Sequence, residues 1–314
     1  MTSTLYRLRE SNHPRAVGTP SGYTHGVARE LKLGVMESLG VYLKSRRDRV
    51  TPAEIGLRTY GTSRRVPGLR REELAQLAGV SAGYYTRLEQ GLAETASRQV
   101  LDALARALRL DDVETGHLHN LAQRSALPRL ADPGPENPHP RVLALLENLG
   151  EAVPALVFGR RGDVLAWNHA GNALMAEHVA FDAPRDPERR PSLPRMFFLD
   201  PLTRDLYRNR AELARVHVAY LRLTAGRYPT DARLAGLIGE LTMRSDDFAA
   251  LWATGDVADC TVGALRLQHP TVGEVDVDYQ VWVQPDSPDH RLEIYTPRDA
   301  ASADAVRLLL QFVR

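Results

Sequence analysis

The chain has 314 residues, and 40 Lys and Arg against 39 Asp and Glu give a formal net charge of +1. That balance excludes a uniformly basic nucleic-acid coat, while leaving room for a basic patch on one domain. The length points to two domains, and hydrophobic and charged fractions of 43% and 25% argue against a wholly disordered chain.

Residues 1–35 are polar, carry several Pro and Gly, and read as a flexible extension with some helix near Val27 to Leu33. The opening MTSTLYRLRESNHPR lacks the apolar core of a secretory signal. No apolar run approaches the roughly 18 residues of a membrane span. A cytoplasmic protein is expected.

Residues 36–125 show helical periodicity alone, as in Leu101, Leu104, Ala105 and Leu108. Within them, ELAQLAGVSAGYYTRLEQG has the offsets of a helix-turn-helix. Ala75 is small where two helices touch, and Gly79 suits a turn with positive φ. Ser81 caps the second helix, and Leu74, Ala78, Val80, Tyr85 and Leu88 face a core. The outward face of that helix is then Ala82, Gly83, Tyr84, Thr86, Arg87 and Gln90. Such a helix enters the major groove, where Gln90 has the reach for adenine and Arg87 for guanine. Arg70 and Arg71 at the start of the first motif helix are placed for phosphate.

Residues 41–71 hold nine Lys and Arg against two acidic residues, a net +7, and read as a duplex phosphate track. Arg64 and Arg65 are the expected loop contacts. A bias tempers each single assignment: only Lys32 and Lys44 are lysines, and a GC-rich genome accounts for so many arginines.

The string ELAQLAGVS…YYTRLEQG resembles the helix-turn-helix of the XRE (Cro/C1-type) regulators. That resemblance covers about 90 residues, including VLDALARAL and HLHNLAQ, and implies an all-α domain of about five helices that binds double-stranded DNA. Such readers commonly dimerise, with half-sites about one helical turn apart.

Residues 126–140 contain five prolines and read as a semi-extended linker. Beyond it, residues 141–314 mix periods. Helices are expected around Val142–Leu149, Leu213–Leu221 and Leu234–Leu241. ALVF and DVLAW flank GRRG as a hairpin, and TVGALRLQ, GEVDVDYQVWV and RLEIYT read as neighbouring strands. In GEVDVDYQVWV an apolar face alternates with an acidic one.

LVFGRRGDVLAWN, LPRMFFLDP, HVAYLRLTAGRYPTDARLAGLIGEL and HPTVGEVDVDYQ, in that order, resemble the MmyB-like domain found behind XRE-type motifs. The resemblance implies an α+β, PAS-like fold with an antiparallel sheet that binds fatty-acid-like ligands. It departs from the family pattern in its 1–35 extension and in a missing proline within ETASRQVL.

Read from the residues alone, an apolar sheet face must be covered by helices, and a gap between them would form a small-molecule cavity. Candidate lining groups are Trp167, Phe198, Tyr220, Leu221, Trp252, Tyr279 and Tyr295, with Phe197 and Phe248 beside them. Any one of them could equally fill a solid core. A ligand carboxylate would need a cation or donor, for which Arg195, Arg222 and His217 are available.

The single cysteine, Cys260, excludes a disulfide framework and a Cys-rich metal site. No G-x-S-x-G, P-loop, G-x-G-x-x-G or H-E-x-x-H occurs, so no catalytic residue, metal or cofactor is expected. Two readings stand: a regulator whose second domain senses an apolar ligand, or one whose second domain is a ligand-free dimerisation or interaction module.

Overall fold

The computed structural model describes residues 38–57, 66–93, 96–123, 135–150, 152–285 and 287–311. Arg64, Arg65, the extension 1–35 and most of the proline-rich stretch lie outside the described residues.

Among the described residues five helices make the first domain: α1 (Leu39–Arg49), α2 (Arg71–Ala78), α3 (Ala82–Glu89), α4 (Arg98–Ala107) and α5 (Asp112–Gln123). The local signals act as the sequence suggests. Gly79 ends α2 with φ +68°, a backbone an L side chain rarely adopts. The Ser81 hydroxyl accepts from the Tyr84 N–H and caps α3. Ser38 and Ser97 cap α1 and α4 in the same way. Tyr42, Leu43, Leu74, Ala75, Tyr85, Leu88, Leu101, Leu104 and Leu118 form one buried core.

The second domain starts with α6 (Pro140–Asn148), followed by β1 (Ala155–Phe158), β2 (Val164–Trp167) and α7 (His169–Ala176). Then come α8 (Leu193–Leu199), α9 (Pro201–Arg204), α10 (Arg210–Arg227), α11 (Ala232–Arg244) and α12 (Asp246–Thr254). Three long strands, β3 (Val262–His269), β4 (Gly273–Gln284) and β5 (Ser287–Pro297), precede α13 (Ala300–Gln311). The five strands run β2-β1-β5-β4-β3, with antiparallel neighbours throughout. This is the PAS-like α+β arrangement. One face of the sheet, with Val275, Val277 and Tyr279, packs on α7, α8, α10 and α11. The other packs Val157, Leu165 and Leu292 under Val142 and Leu146 of α6.

Of the stretch read as linker, residues 135–139 are described, and Glu136 there is buried against the β1–β2 turn. Its carboxylate accepts from the Arg160 N–H at 3.1 Å and lies 3.8 Å from the guanidinium of Arg161.

The two domains meet. Arg46 of α1 pairs with Glu114 of α5 at 2.7 Å and donates to the carbonyl of Gly255, just past α12. Arg49 donates to the Thr254 carbonyl at 2.6 Å and pairs with Asp256 at 2.5 Å. Val257, 9% exposed, belongs to the first domain's core. Gly226, at the end of α10, lies against the imidazole of His117, which is edge-on to Tyr42 at 4.9 Å.

Gly40 is needed where α1 crosses the end of α3, because a Cβ there would overlap the carbonyl oxygen of Glu89. Gly40→Ala is expected to cost about 1–3 kcal/mol, the usual penalty of overpacking. Thermal unfolding of the variant checks this, and an unchanged midpoint would contradict the helix crossing.

Candidate DNA interface and ligand cavity

The helix-turn-helix presents the face that the spacing suggests. On and beside α3, Ser81, Gly83, Arg87 and Gln90 are exposed, Ala82, Tyr84 and Thr86 are partly buried, and Tyr85 and Leu88 point into the core. The Thr86 hydroxyl donates to the Ala82 carbonyl at 2.8 Å. Arg87 leans on the Leu92 carbonyl at 3.4 Å, and it stays at the surface.

What fixes this helix is Glu89, a residue whose role sequence reasoning missed. Its side chain is 3% exposed and takes Arg47 of α1 at 3.0 Å and Arg71 of α2 at 2.7 Å. Arg47 also donates to the Leu69 carbonyl at 2.6 Å. One carboxylate thus ties three helices together. Burial alone would raise the Glu89 pKa, but the bonds from Arg47 and Arg71 outweigh it, and the net shift is downward.

The phosphate track expected over residues 41–71 is therefore only partly a surface feature. Arg47 turns into the first domain, while Arg46 and Arg49 turn to the second. Lys44 pairs with Asp48 at 2.6 Å. Arg71 is bonded to Glu89 with 43% of its side chain exposed, and Arg70 is exposed.

In the second domain the expected lining residues divide into three groups. Tyr220, Tyr279 and Tyr295 come together around a narrow slot of about 40 Å³, with Val216 and His217 of α10, Cys260, Arg291 and Glu293. Phe198 instead meets Phe248 edge-on and Trp252 stacks on it (ring centroids 5.2 and 5.6 Å), and Leu221 is buried core. Trp167 lies elsewhere again, beside an outer cleft of about 660 Å³ between α6, β2 and residues 181–190, where its indole N–H holds the Phe181 carbonyl at 2.7 Å.

Among the expected carboxylate partners only His217 reaches the slot. Arg195 is held by Glu240 at 2.8 Å, and Arg222 donates to the Trp252 carbonyl. The cation in the slot is Arg291. It is buried, its guanidinium covers the Tyr220 ring at 3.8 Å, and its nearest carboxylate, Glu293, is 3.8 Å away. Its Nε has no hydrogen-bond partner among the described residues. Glu293 accepts from the Tyr295 hydroxyl at 2.9 Å. The signal for this arrangement lay in RLEIY. Strand alternation puts Arg291, Glu293 and Tyr295 on one face, and register sets them beside Val283, Val281 and Tyr279 of β4.

The slot thus holds a convergent polar cluster that the sequence did not suggest. Its chemistry suits binding better than catalysis. Burial, with Arg291 and Arg210 nearby, pushes His217 down to about 3, so it stays neutral. Burial pushes the Cys260 thiol up to about 12, far from a thiolate. Burial also opposes the charge on Arg291, but Tyr220 and Glu293 offset that and the guanidinium remains ionised. Among the described residues no group of three or more His, Cys, Asp or Glu could hold a metal ion, and no helix is long and apolar enough to cross a membrane.

A capped reading helix in a five-helix domain, joined to a PAS-like domain with an internal polar slot, defines a transcription regulator with separate DNA-binding and ligand-binding domains. Comparison with known families agrees. Residues 38–118 match a helix-turn-helix domain. Residues 138–309, more than half of the chain, match the MmyB-like transcription regulator ligand binding domain, and the chain belongs to that family. No curated protein matches the chain.

Glu89→Gln should destabilise the first domain by about 3 kcal/mol at neutral pH, since it leaves Arg47 buried without its carboxylate. The pH dependence has a definite sign. A carboxylate with a lowered folded pKa stabilises fully above its unfolded value, near 4.3, and loses that contribution as pH falls through the folded value. Denaturant titrations across pH 2–7 should show this acid loss in the parent and a flatter profile in the variant.

Proposed function

We propose that the chain is a cytoplasmic, ligand-responsive regulator that reads operator DNA through residues 81–90 and takes a fatty acid in the second domain, its carboxylate at Arg291. The observation that carries the ligand half is the buried guanidinium itself. A desolvated cation with an unbonded Nε and a carboxylate only at 3.8 Å is short of hydrogen-bonding acceptors, and a ligand carboxylate supplies them. Tyr220, Tyr279 and Tyr295 give that head group aromatic walls, and the apolar residues around them suit a hydrocarbon tail.

On DNA, Gln90 and Arg87 reach base edges, while Ala82, Tyr84 and Thr86 meet thymine methyls or phosphates. Ser81, Gly83 and the Arg70–Arg71 pair lie along the backbone, with Arg64 and Arg65 as further phosphate contacts. A homodimer presents two such helices to half-sites about one helical turn apart.

One observation favours the rival reading. At about 40 Å³ the slot is far below the roughly 300 Å³ of an ordinary ligand pocket, as a filled dimerisation module would have. Arg291 tips the balance, because a module built only to pack gains nothing from a buried cation with a free donor.

Two measurements test the reading. Arg87→Ala with Gln90→Ala should abolish selective binding to an operator selected from random DNA, at fixed salt, while leaving weak non-specific binding in place. Arg291→Gln should weaken dodecanoic acid binding by about 2 kcal/mol, the worth of a charge-assisted hydrogen bond, or roughly thirtyfold in Kd by calorimetry. Equal affinity in parent and variant would remove Arg291 from the site.

A further inference from the structure

The walls of the slot are also the parts of the second domain that grip the first. Val216, His217 and Tyr220 line the slot from α10, and α10 ends at Gly226 against His117 of α5. Cys260 lines it from the segment before β3. Only three residues back, Val257 enters the core of the first domain. Just before Val257, the Thr254 and Gly255 carbonyls and the Asp256 carboxylate receive Arg49 and Arg46 of α1.

The two walls are themselves linked. The Cys260 thiol lies 3.7 Å from the Val216 carbonyl, and Arg222 of α10 donates to the Trp252 carbonyl of α12 while stacking on its indole at 4.2 Å.

A slot of about 40 Å³ admits an acyl chain only if these walls part. The segment from Cys260 to Val257 is too short to absorb such a shift by slack, and α10 is one continuous helix from the slot to Gly226. Movement at either wall is delivered to α1 and α5. Arg47, in the same last turn of α1 as Arg46 and Arg49, sets the tilt of α3 with Glu89.

Taking the fatty-acid reading above as given, we propose that the Arg46–Arg49 clamp on residues 254–257, together with the His117–Gly226 contact, is the relay by which occupancy of the slot repositions the reading helix. Arg46 and Arg49 hold the carbonyls of Gly255 and Thr254 at the C-terminal end of α12, where a helix favours cations. The clamp therefore holds the two domains in one arrangement while the slot is closed. Parting the walls turns residues 254–257 and the end of α10 away from α1 and α5, and the docked arrangement is lost. The DNA face of α3 takes no part in the clamp, so docking alters how two readers are presented to an operator rather than covering either one.

Arg49 and Asp256 are suitable targets because their side chains are 41% and 50% exposed and neither lines the slot or the DNA face. Gly226→Ala adds a wedge, since its Cβ would overlap the His117 ring. In the full chain, dodecanoic acid is expected to shift operator affinity at least fivefold. In the Arg49→Ala, Gly226→Ala variant, checked for folding by circular dichroism, it should still bind by calorimetry yet shift operator affinity less than twofold. A variant that binds dodecanoic acid and keeps the full shift overturns the relay and leaves the ligand reading intact.

If the parent binds no dodecanoic acid, that ligand reading fails and the relay is decided without a ligand. Val216→Phe and, as a milder change, Cys260→Leu force the slot walls apart. Either one should change operator affinity at least fivefold in the parent, but not when combined with Arg49→Ala and Gly226→Ala. Unchanged affinity in both folded slot variants overturns the relay.

Discussion

Arg46 keeps its charge where water hardly reaches it: its side chain is 5% exposed, and its partners come from two domains. Glu114 supplies a carboxylate at 2.7 Å from the same bundle, the Gly255 carbonyl accepts from the other side, and Asp256 lies 3.8 Å away. The guanidinium also covers the Tyr42 ring at 4.9 Å, and Tyr42 meets His117. Burying such a cation costs several kcal/mol, which nearby carboxylates and carbonyls offset in part. Gly255 and Asp256 are supplied only when the domains touch, so the charge favours that arrangement. Glu89 applies the same logic inside the bundle with the sign reversed: one buried carboxylate, two arginines, and a fixed angle for α3.

These two charged joints set what the ligand domain can do. A PAS-like sheet with a roomy cavity could take a ligand with little consequence elsewhere. Here the slot is small, its polar groups face inward, and two of its walls end at the domain boundary. A ligand shifts a conformational equilibrium only by its differential affinity for the two states. A slot that must open before it can bind supplies that difference, because the closed arrangement offers the ligand almost nothing. The outer cleft has far more room, but Gly226 and residues 254–257, which meet the first domain, are not among the residues that line it.

Much of the reading domain was legible in the sequence because its signals are local. A small residue at Ala75, a glycine four positions on and a serine cap at Ser81 are requirements of one tight turn, and the structure meets each of them. The strands were legible for the same reason, since alternation needs only neighbours. The charge run misled. A count over residues 41–71 cannot see that Arg46, Arg47 and Arg49 find Glu114, Glu89 and Asp256 far along the chain. Arg291 was hidden differently. Its strand was read, but the side it faces depends on register with β1 and β4, which pairs it with Phe158 and Val283. Long-range partners, rather than weak local signals, account for both.

If the slot and the reading helix share one equilibrium, thermodynamic linkage gives that coupling a sharp form. Dodecanoic acid affinity can be measured by calorimetry with and without saturating operator DNA, and operator affinity by anisotropy with and without saturating dodecanoic acid, at one salt concentration. The same coupling factor is expected from both directions, at least fivefold, because coupling between two sites is reciprocal. A factor of one in both directions, with each ligand binding well alone, would contradict that coupling.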